Sequence, residues 1–335
     1  MHHDIVKPAQ TAPLHAPDQV TRSAMLQLER SEAIHQAAFD SLACLNRVEA
    51  PVGSRLAPLE FPLTVAAWNL ERCYSVEPSA VLLATTGAGV VLVSEMDNGM
   101  ARTGQRHTTR DMAGLLGMAY AYGVEFVELE LGNGVELEFC VDDHNRNGFH
   151  GNGMLAATAL QTPVVIRLPD QMFWFNHEVE TARIGSRCAI AAVVATTEGP
   201  VCVVSVHLES RGDGAHRGHQ MEVLLDTINT LVGDMPVVLG GDLNTGLADG
   251  GDFEKEPLFA LTASRGFARH SGRLEQTTTR SSRVSRGAKG TYKLDWFLTR
   301  GVIVTGSEII AAVAPDGEVL SDHEMVVLKV SGLRA

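Results

Sequence analysis

The 335-residue sequence predicts an α/β (α+β) fold, a mixed β-sheet sandwich covered by helices. Three observations predict it. Strand-like and helix-like segments alternate from about residue 61 onward. The runs on either side of Glu198-Gly199-Pro200 read as a hairpin, which argues against a purely parallel sheet. The 45% hydrophobic content, much of it in Val/Leu/Ala runs, is enough to bury a sizeable core.

Residues 1–16 read as a flexible lead-in. From Asp18 to about Val48, residues Met25, Leu26, Leu28, Ile34, Ala38, Phe39, Leu42 and Leu45 recur at roughly helical spacing, with Asp18 as N-cap. This extra N-terminal segment is one long amphipathic helix or two, able to cover the sheet, limit access or form a homo-oligomer. A proline-bearing link from Pro51 to Pro62 separates it (1–60) from the main domain (61–335). Within that domain, short apolar and β-branched runs predict strands at 63–69, 90–94, 125–131, 163–168, 189–196, 201–207, 237–241, 294–299 and 325–330. Helices are expected at 79–85, 109–122, 215–231 and about 256–264. The segment 280–290 reads as the most mobile loop.

Bulk properties narrow the function. No apolar stretch approaches the roughly 18 to 20 residues of a membrane span, and the first residues lack the pattern of a secretory signal. Five scattered cysteines without a CxxC pair read as buried thiols in a reducing compartment, so the cytoplasm is expected. A net charge of −13 argues against a protein that coats nucleic acid. It leaves room for a local basic strip, here Arg269, Arg273, Arg280, Arg283, Arg286, Lys289 and Lys293, suited to a phosphate-bearing partner.

The stretch VVLGGDLNTG (237–246) ends a greasy run on Asp242 and Asn244, two positions apart and so on one side of an extended chain. Taken alone this is turn chemistry. The same thing happens repeatedly, however. Asn69 and Glu71 follow one apolar run, Glu95 and Asp97 another, and His207 sits near the end of a third. Asp295 lies among apolar neighbours, and Asp322 and His323 precede the last strand. Burying such groups unpaired is costly, so their recurrence at strand ends points to one convergent site.

These segments, in this order, resemble the endonuclease/exonuclease/phosphatase (DNase I-like) superfamily from about Thr64 to Val330. The resemblance implies a four-layer α/β/β/α sandwich of two mixed sheets and a metal-dependent hydrolase of phosphoester bonds. It also implies roles. Asn69, Glu95 and Asp322 would hold Mg²⁺, with Mn²⁺ as the alternative, because hard cations take oxygen ligands. His323 would be the general base, oriented by Asp295. Asp242 would position the attacking water, Asn244 would donate to a phosphoryl oxygen, and His207 would contact the phosphate or protonate the leaving group. His150 and Asn152 in NGFHGNGM are candidate substrate contacts, with a plain glycine-rich turn as the alternative, and Arg187 is a further candidate.

Other residues have plainer readings: Glu71 as metal ligand or surface ion pair, Asp97 as a turn residue, His216 and His219 as solvated, Trp68 and Trp296 as core, and Trp174 as core or pocket wall. No Gly-x-Ser-x-Gly elbow or similar nucleophile is present, so direct attack by water is expected. A small or single-stranded phosphodiester is the expected substrate. The alternatives are a hydrolase of the same fold acting on a phospholipid head group or other small ester, and a catalytically silent binding module.

Overall fold

The computed structural model describes residues 5–51, 57–172, 174–175, 181–286 and 291–334. Among them are fifteen strands and six helices. The N-terminal part holds β1 (Val6–Gln10), α1 (Gln19–Leu26), α2 (Glu32–Ser41) and β2 (Val48–Glu49). Next come β3 (Leu63–Arg72), α3 (Val76–Thr85), β4 (Val90–Asn98), α4 (Thr108–Leu116), β5 (Ala119–Glu128), β6 (Phe149–Ala156) and β7 (Gln161–Arg167). The rest comprises β8 (Arg183–Gly185), β9 (Cys188–Thr196), β10 (Gly199–His207), α5 (Gly214–Val232), β11 (Val237–Asp242), α6 (Pro257–Ser264), β12 (Ala268–His270), β13 (Asp295–Arg300), β14 (Val302–Ile310) and β15 (Met325–Leu333).

Every strand and helix expected from the sequence has a counterpart, and the 196–199 turn does join β9 to β10 as an antiparallel hairpin. The differences have local causes. The N-terminal helix is two helices, and Asp18 caps the first by accepting from the Thr21 N–H at 2.7 Å. Helix α4 stops at Leu116 because Gly117 adopts the left-handed conformation (φ 66°). The expected 109–122 helix therefore ends early, and the alternating Ala119-Tyr120-Ala121-Tyr122 run opens β5. The expected lead-in is the strand β1. Residues 1–4 lie outside the described residues, as do 287–290 of the expected mobile loop.

The strands form one hydrogen-bonded path, β12-β13-β11-β10-β9-β7-β1-β2-β5-β6-β4-β3-β15-β14, with β8 on β5. The expected two sheets are thus joined at β1, which runs antiparallel to β7 and parallel to β2. Alternation along the strands divides the core. Ala66, Trp68 and Leu70 of β3 pack with Phe39, Ala80, Leu83 and Met112 of the helices on one side. Val65 and Ala67 face Ile190, Val203, Val238 and Phe297 of the other half. Val204, Leu239 and Leu298 pack against Leu224, Leu225, Ile228 and Leu258 of α5 and α6. No helix among the described residues is long and apolar enough to cross a membrane.

The glycines before Asp242 have a packing cause. A Cβ on Gly241 (φ 150°) would lie 1.9 Å from the Val206 carbonyl oxygen, and one on Gly240 would lie 2.5 Å from the Phe297 ring. Only glycine lets β11 lie this close to β10. Gly241→Ala is expected to lower the unfolding free energy by about 2–4 kcal/mol, measured by urea denaturation. An unchanged midpoint would show that the two strands have slack.

Candidate active site

Three of the expected residues form a row across the sheet. His207 ends β10, Asp242 ends β11 and Asp295 opens β13, and the register pairs His207 with Asp242 and Asp242 with Asp295. In the other half, irregularities in pairing interrupt β3 between Asn69 and Arg72 and β4 between Val93 and Met96. Glu71 (φ 45°), Arg72 (φ 74°) and Glu95 (φ 56°) hold left-handed backbone there, so the side chains leave the pleat at the strand ends. Asn69 joins the halves: its Nδ2 donates to Glu95 Oε1 and to Asp242 Oδ2, each at 3.1 Å.

Two imidazoles face Asp242 Oδ2. His323 Nδ1 lies 2.8 Å from Asp295 Oδ2, and its Nε2 lies 3.7 Å from Asp242 and 3.9 Å from Asp322. With Nδ1–H donated to Asp295, the neutral ring turns the Nε2 lone pair to the pocket. His207 is the reverse. Its Nδ1 lies 2.9 Å from Arg187 Nη1 and 3.4 Å from Glu125 Oε2. An arginine can only donate, so a neutral ring carries its hydrogen on Nε2, 3.5 Å from Asp242 Oδ2, and a protonated one also presents Nδ1–H to Glu125. Burial alone would lower the pKa of His323, but Asp295 and Asp242 outweigh it and raise it well above the ordinary value. Burial would raise Glu125, yet His207 and Arg187 override it and hold that carboxyl at about 2.

The ligand atoms of Asp242, Asp295 and His323 lie within 4.8 Å of one another, close enough to hold an ion. The Asp295–His323 bond spends the imidazole's Nδ1, however, and hard cations prefer oxygen, so this cluster is better suited to moving a proton. The oxygen-rich side is elsewhere. Glu71, 6% exposed, is pushed up to about 7 by burial and then by Asp322. Two carboxylates crowded in this way are a setting that a divalent cation relieves. The Glu95 carboxylate is paired with Arg72, which would have to yield for Glu95 to ligate.

The sequence-predicted residues Asn69, Glu95, His207, Asp242, Asn244, Asp295, Asp322 and His323 converge. All but Asn69 and Asp295 line one cavity of about 220 Å³, and those two bond directly to residues that do. Asn244 (φ 52°) donates its backbone N–H to Asp242 Oδ1 at 2.9 Å, and its amide donates to the Leu208 carbonyl at 3.0 Å. Arg187 lines the cavity, held by Glu125, His207 and Ser210. His150 lines it too, with Nδ1 2.9 Å from Asp97, whereas Asn152 is buried behind, donating to Glu125 and to the Cys188 carbonyl.

Several plainer readings need correction. Asp97 is no turn residue; it is buried in β4 and pairs with Arg102 through both oxygens at 2.8 Å. Glu71 is no surface pair, since it accepts from Ser282 Oγ at 2.6 Å beside the site. His216 is buried rather than solvated, while the His219 side chain is 59% exposed. Trp68 and Trp296 are core, and Trp174 is a pocket wall.

The basic strip mostly spends its charge locally: Arg269 on Glu254, Arg283 on Glu318, Arg286 on Glu138, and Lys293 on backbone carbonyls. Arg280 lines the cavity, and Lys289 lies outside the described residues. Sequence reading missed Arg72, Glu125 and Arg183. Glu125 had a signal, as a carboxylate inside the apolar run of β5. The arginines follow strand-end or loop positions with none. A larger groove of about 980 Å³ between α2, β1 and residues 168–172 holds none of these groups.

The model of the Endonuclease/Exonuclease/phosphatase family matches residues 66–323. The chain belongs to this family. The fold is similar to that of an endonuclease/exonuclease/phosphatase from Beutenbergia cavernae, at 17% identity over 82% of this chain and 72% of that one, TM-score 0.59. It is also similar to the human Nocturnin catalytic domain with bound sulfate anion (18%, 83% and 96%, TM-score 0.56) and to humanized D. rerio TDP2 (16%, 80% and 98%, TM-score 0.51). No curated protein matches the sequence. Membership in the endonuclease/exonuclease/phosphatase family makes the chain a metal-dependent phosphoester hydrolase in the general sense.

Proposed function

We propose that this family member is a Mg²⁺- or Mn²⁺-dependent phosphodiesterase acting on a small or single-stranded substrate by direct attack of water. The observation that carries this is the pair of imidazoles on Asp242, one offering a lone pair and the other an N–H. A base and an acid on two sides of one small cavity suit in-line displacement at phosphorus. His323, oriented by Asp295, takes the proton from water that Asp242 positions. His207, its tautomer set by Arg187, donates to the leaving oxygen. Asn69, Glu71, Glu95 and Asp322 are the residues that would hold the divalent cation, which supplies Lewis-acid stabilisation of charge on the phosphoryl oxygens.

Size supports the substrate class. The cavity of about 220 Å³, bounded by Thr279, Arg280, Ser285 and Tyr292 among others, accommodates a small phosphodiester. Turnover of bis-p-nitrophenyl phosphate tests the reading. A chelator is expected to lower the rate at least about a hundredfold, with Mg²⁺ or Mn²⁺ restoring it. Turnover indifferent to the chelator would remove the metal from the proposal. No turnover with any metal would favour a silent binding module.

A further inference from the structure

The arginines around the cavity differ in how their charge is spent. Arg187 spends both Nη groups, Nη1 on Glu125 and His207 and Nη2 on Ser210 at 3.4 Å, while its Nε, 3.5 Å from Glu209, makes no hydrogen bond. Arg72 is paired with Glu95 and Glu136. Arg183 is different. Its Nε lies 2.9 Å from Glu128 Oε2, with the side chain only 7% exposed, yet neither Nη nitrogen has an acceptor among the described residues, and the residue lines the cavity.

A guanidinium that lines a cavity with no protein acceptor on its Nη pair can take an anion there. Glu128 does not neutralise Arg183 alone, since it also lies 3.4 Å from Arg102. Burial lowers the pKa of Arg183, Glu128 opposes it, and the nearby Arg72 and Arg102 add to the lowering. The arginine is also well placed. Its guanidinium carbon sits 4.7 Å from the Trp174 ring centroid and that of Arg187 sits 5.4 Å from the same ring, so the two flank one indole. Arg187 in turn touches His207, which faces Asp242. Strand β8 holds Arg183 there by pairing residue for residue with β5 at Glu128.

We infer that the free edge of Arg183 is a second anion subsite, so the preferred substrate carries another phosphate beside the scissile phosphoester. A planar fork of two NH₂ groups matches two phosphate oxygens. This inference rests on the phosphoester-hydrolase reading for the word substrate, but not for the subsite itself.

A matched pair tests it: the p-nitrophenyl ester of thymidine 5′-phosphate, and the same ester bearing a 3′-phosphate. Both release p-nitrophenolate. The wild-type chain is expected to prefer the doubly phosphorylated ester at least tenfold in kcat/KM. Arg183→Gln should cut that preference tenfold or more, chiefly through KM, while His323→Ala should suppress both esters. A wild type without preference, or a preference that survives Arg183→Gln, overturns the subsite.

Because Glu128 loses its partner in Arg183→Gln, folding is checked by circular dichroism. Arg183→Lys serves if the glutamine variant unfolds. It keeps a charge opposite Glu128 but lacks the fork, and should lose most of the preference. If the wild type turns over neither ester, calorimetry with thymidine 3′,5′-bisphosphate against thymidine 5′-phosphate decides the subsite alone. Tighter, Arg183-dependent binding of the bisphosphate then upholds the subsite and sinks only the hydrolase reading. Equal binding overturns the subsite.

Discussion

His323→Ala is expected to lower phosphodiester turnover at least about a hundredfold while leaving the fold intact. The activity loss follows from removing the imidazole that holds a lone pair beside Asp242, since general-base catalysis contributes roughly 10²–10⁴-fold. The two carboxylates that raise its pKa stabilise the imidazolium formed when it takes the proton of water, and the neutral, base-competent ring gains population as pH rises. The fold survives because the backbone contacts at this position remain, at a cost of about 1–3 kcal/mol for the Asp295 carboxylate that loses its imidazole partner. Trp68 Nε1 donates to the His323 carbonyl at 2.8 Å, and the His323 N–H is held by Ser321 Oγ at 3.0 Å. Turnover of bis-p-nitrophenyl phosphate, read beside the thermal melting curve, checks both halves. Activity within tenfold of wild type in the folded variant would place the base elsewhere.

Asp242→Ala should cost activity at least as much, and stability as well. Its two oxygens receive the Asn69 amide at 3.1 Å and the Asn244 backbone N–H at 2.9 Å and face both histidines. With the residue only 1% exposed, deletion strands those donors, about 1–3 kcal/mol for each left unsatisfied. Asp242→Asn separates the effects. It keeps the shape and an oxygen for one donor but loses the charge that positions water between the imidazoles. Near-normal melting with activity still down at least about a hundredfold is the expected pattern. Full activity in the asparagine variant would show that Asp242 serves the fold alone.

Much of this site could be read from the sequence because strand ends are where a buried, β-branched run must stop. An ionisable group at that point is visible in one dimension. Asp242, Asp295 and His323 each follow or precede such a run, and sheet register then brings them together without further information. What could not be read depends on distant pairing. Arg72 and Arg183 look like ordinary strand-end and loop arginines until Glu136 and Glu128 appear beside them. Asp97 reads as a turn residue because the register irregularity in β4 that turns it inward is invisible along the chain.

Glycine misled in the other direction. Gly151 and Gly153 make β6 look like a turn, yet a Cβ on Gly151 would meet the Gly123 carbonyl oxygen at 2.1 Å. These glycines are what tight strand packing requires. Strand β14 was missed because Gly306 and exposed polar positions interrupt its alternation.

The seam at β1 has a consequence for how the chain comes together during synthesis. Val6, Lys7 and Pro8 align with Ile166, Val165 and Val164, residues that leave the ribosome long after them. Until then β1 has only the two-residue β2 to pair with, on its other edge. The stitch between the two halves is therefore laid out early but pulled tight late, after β3 to β6 have emerged. A nascent chain folds β3 to β6 with β1 still waiting for its longer partner, and the β1–β7 pairing forms only as the second half begins to emerge.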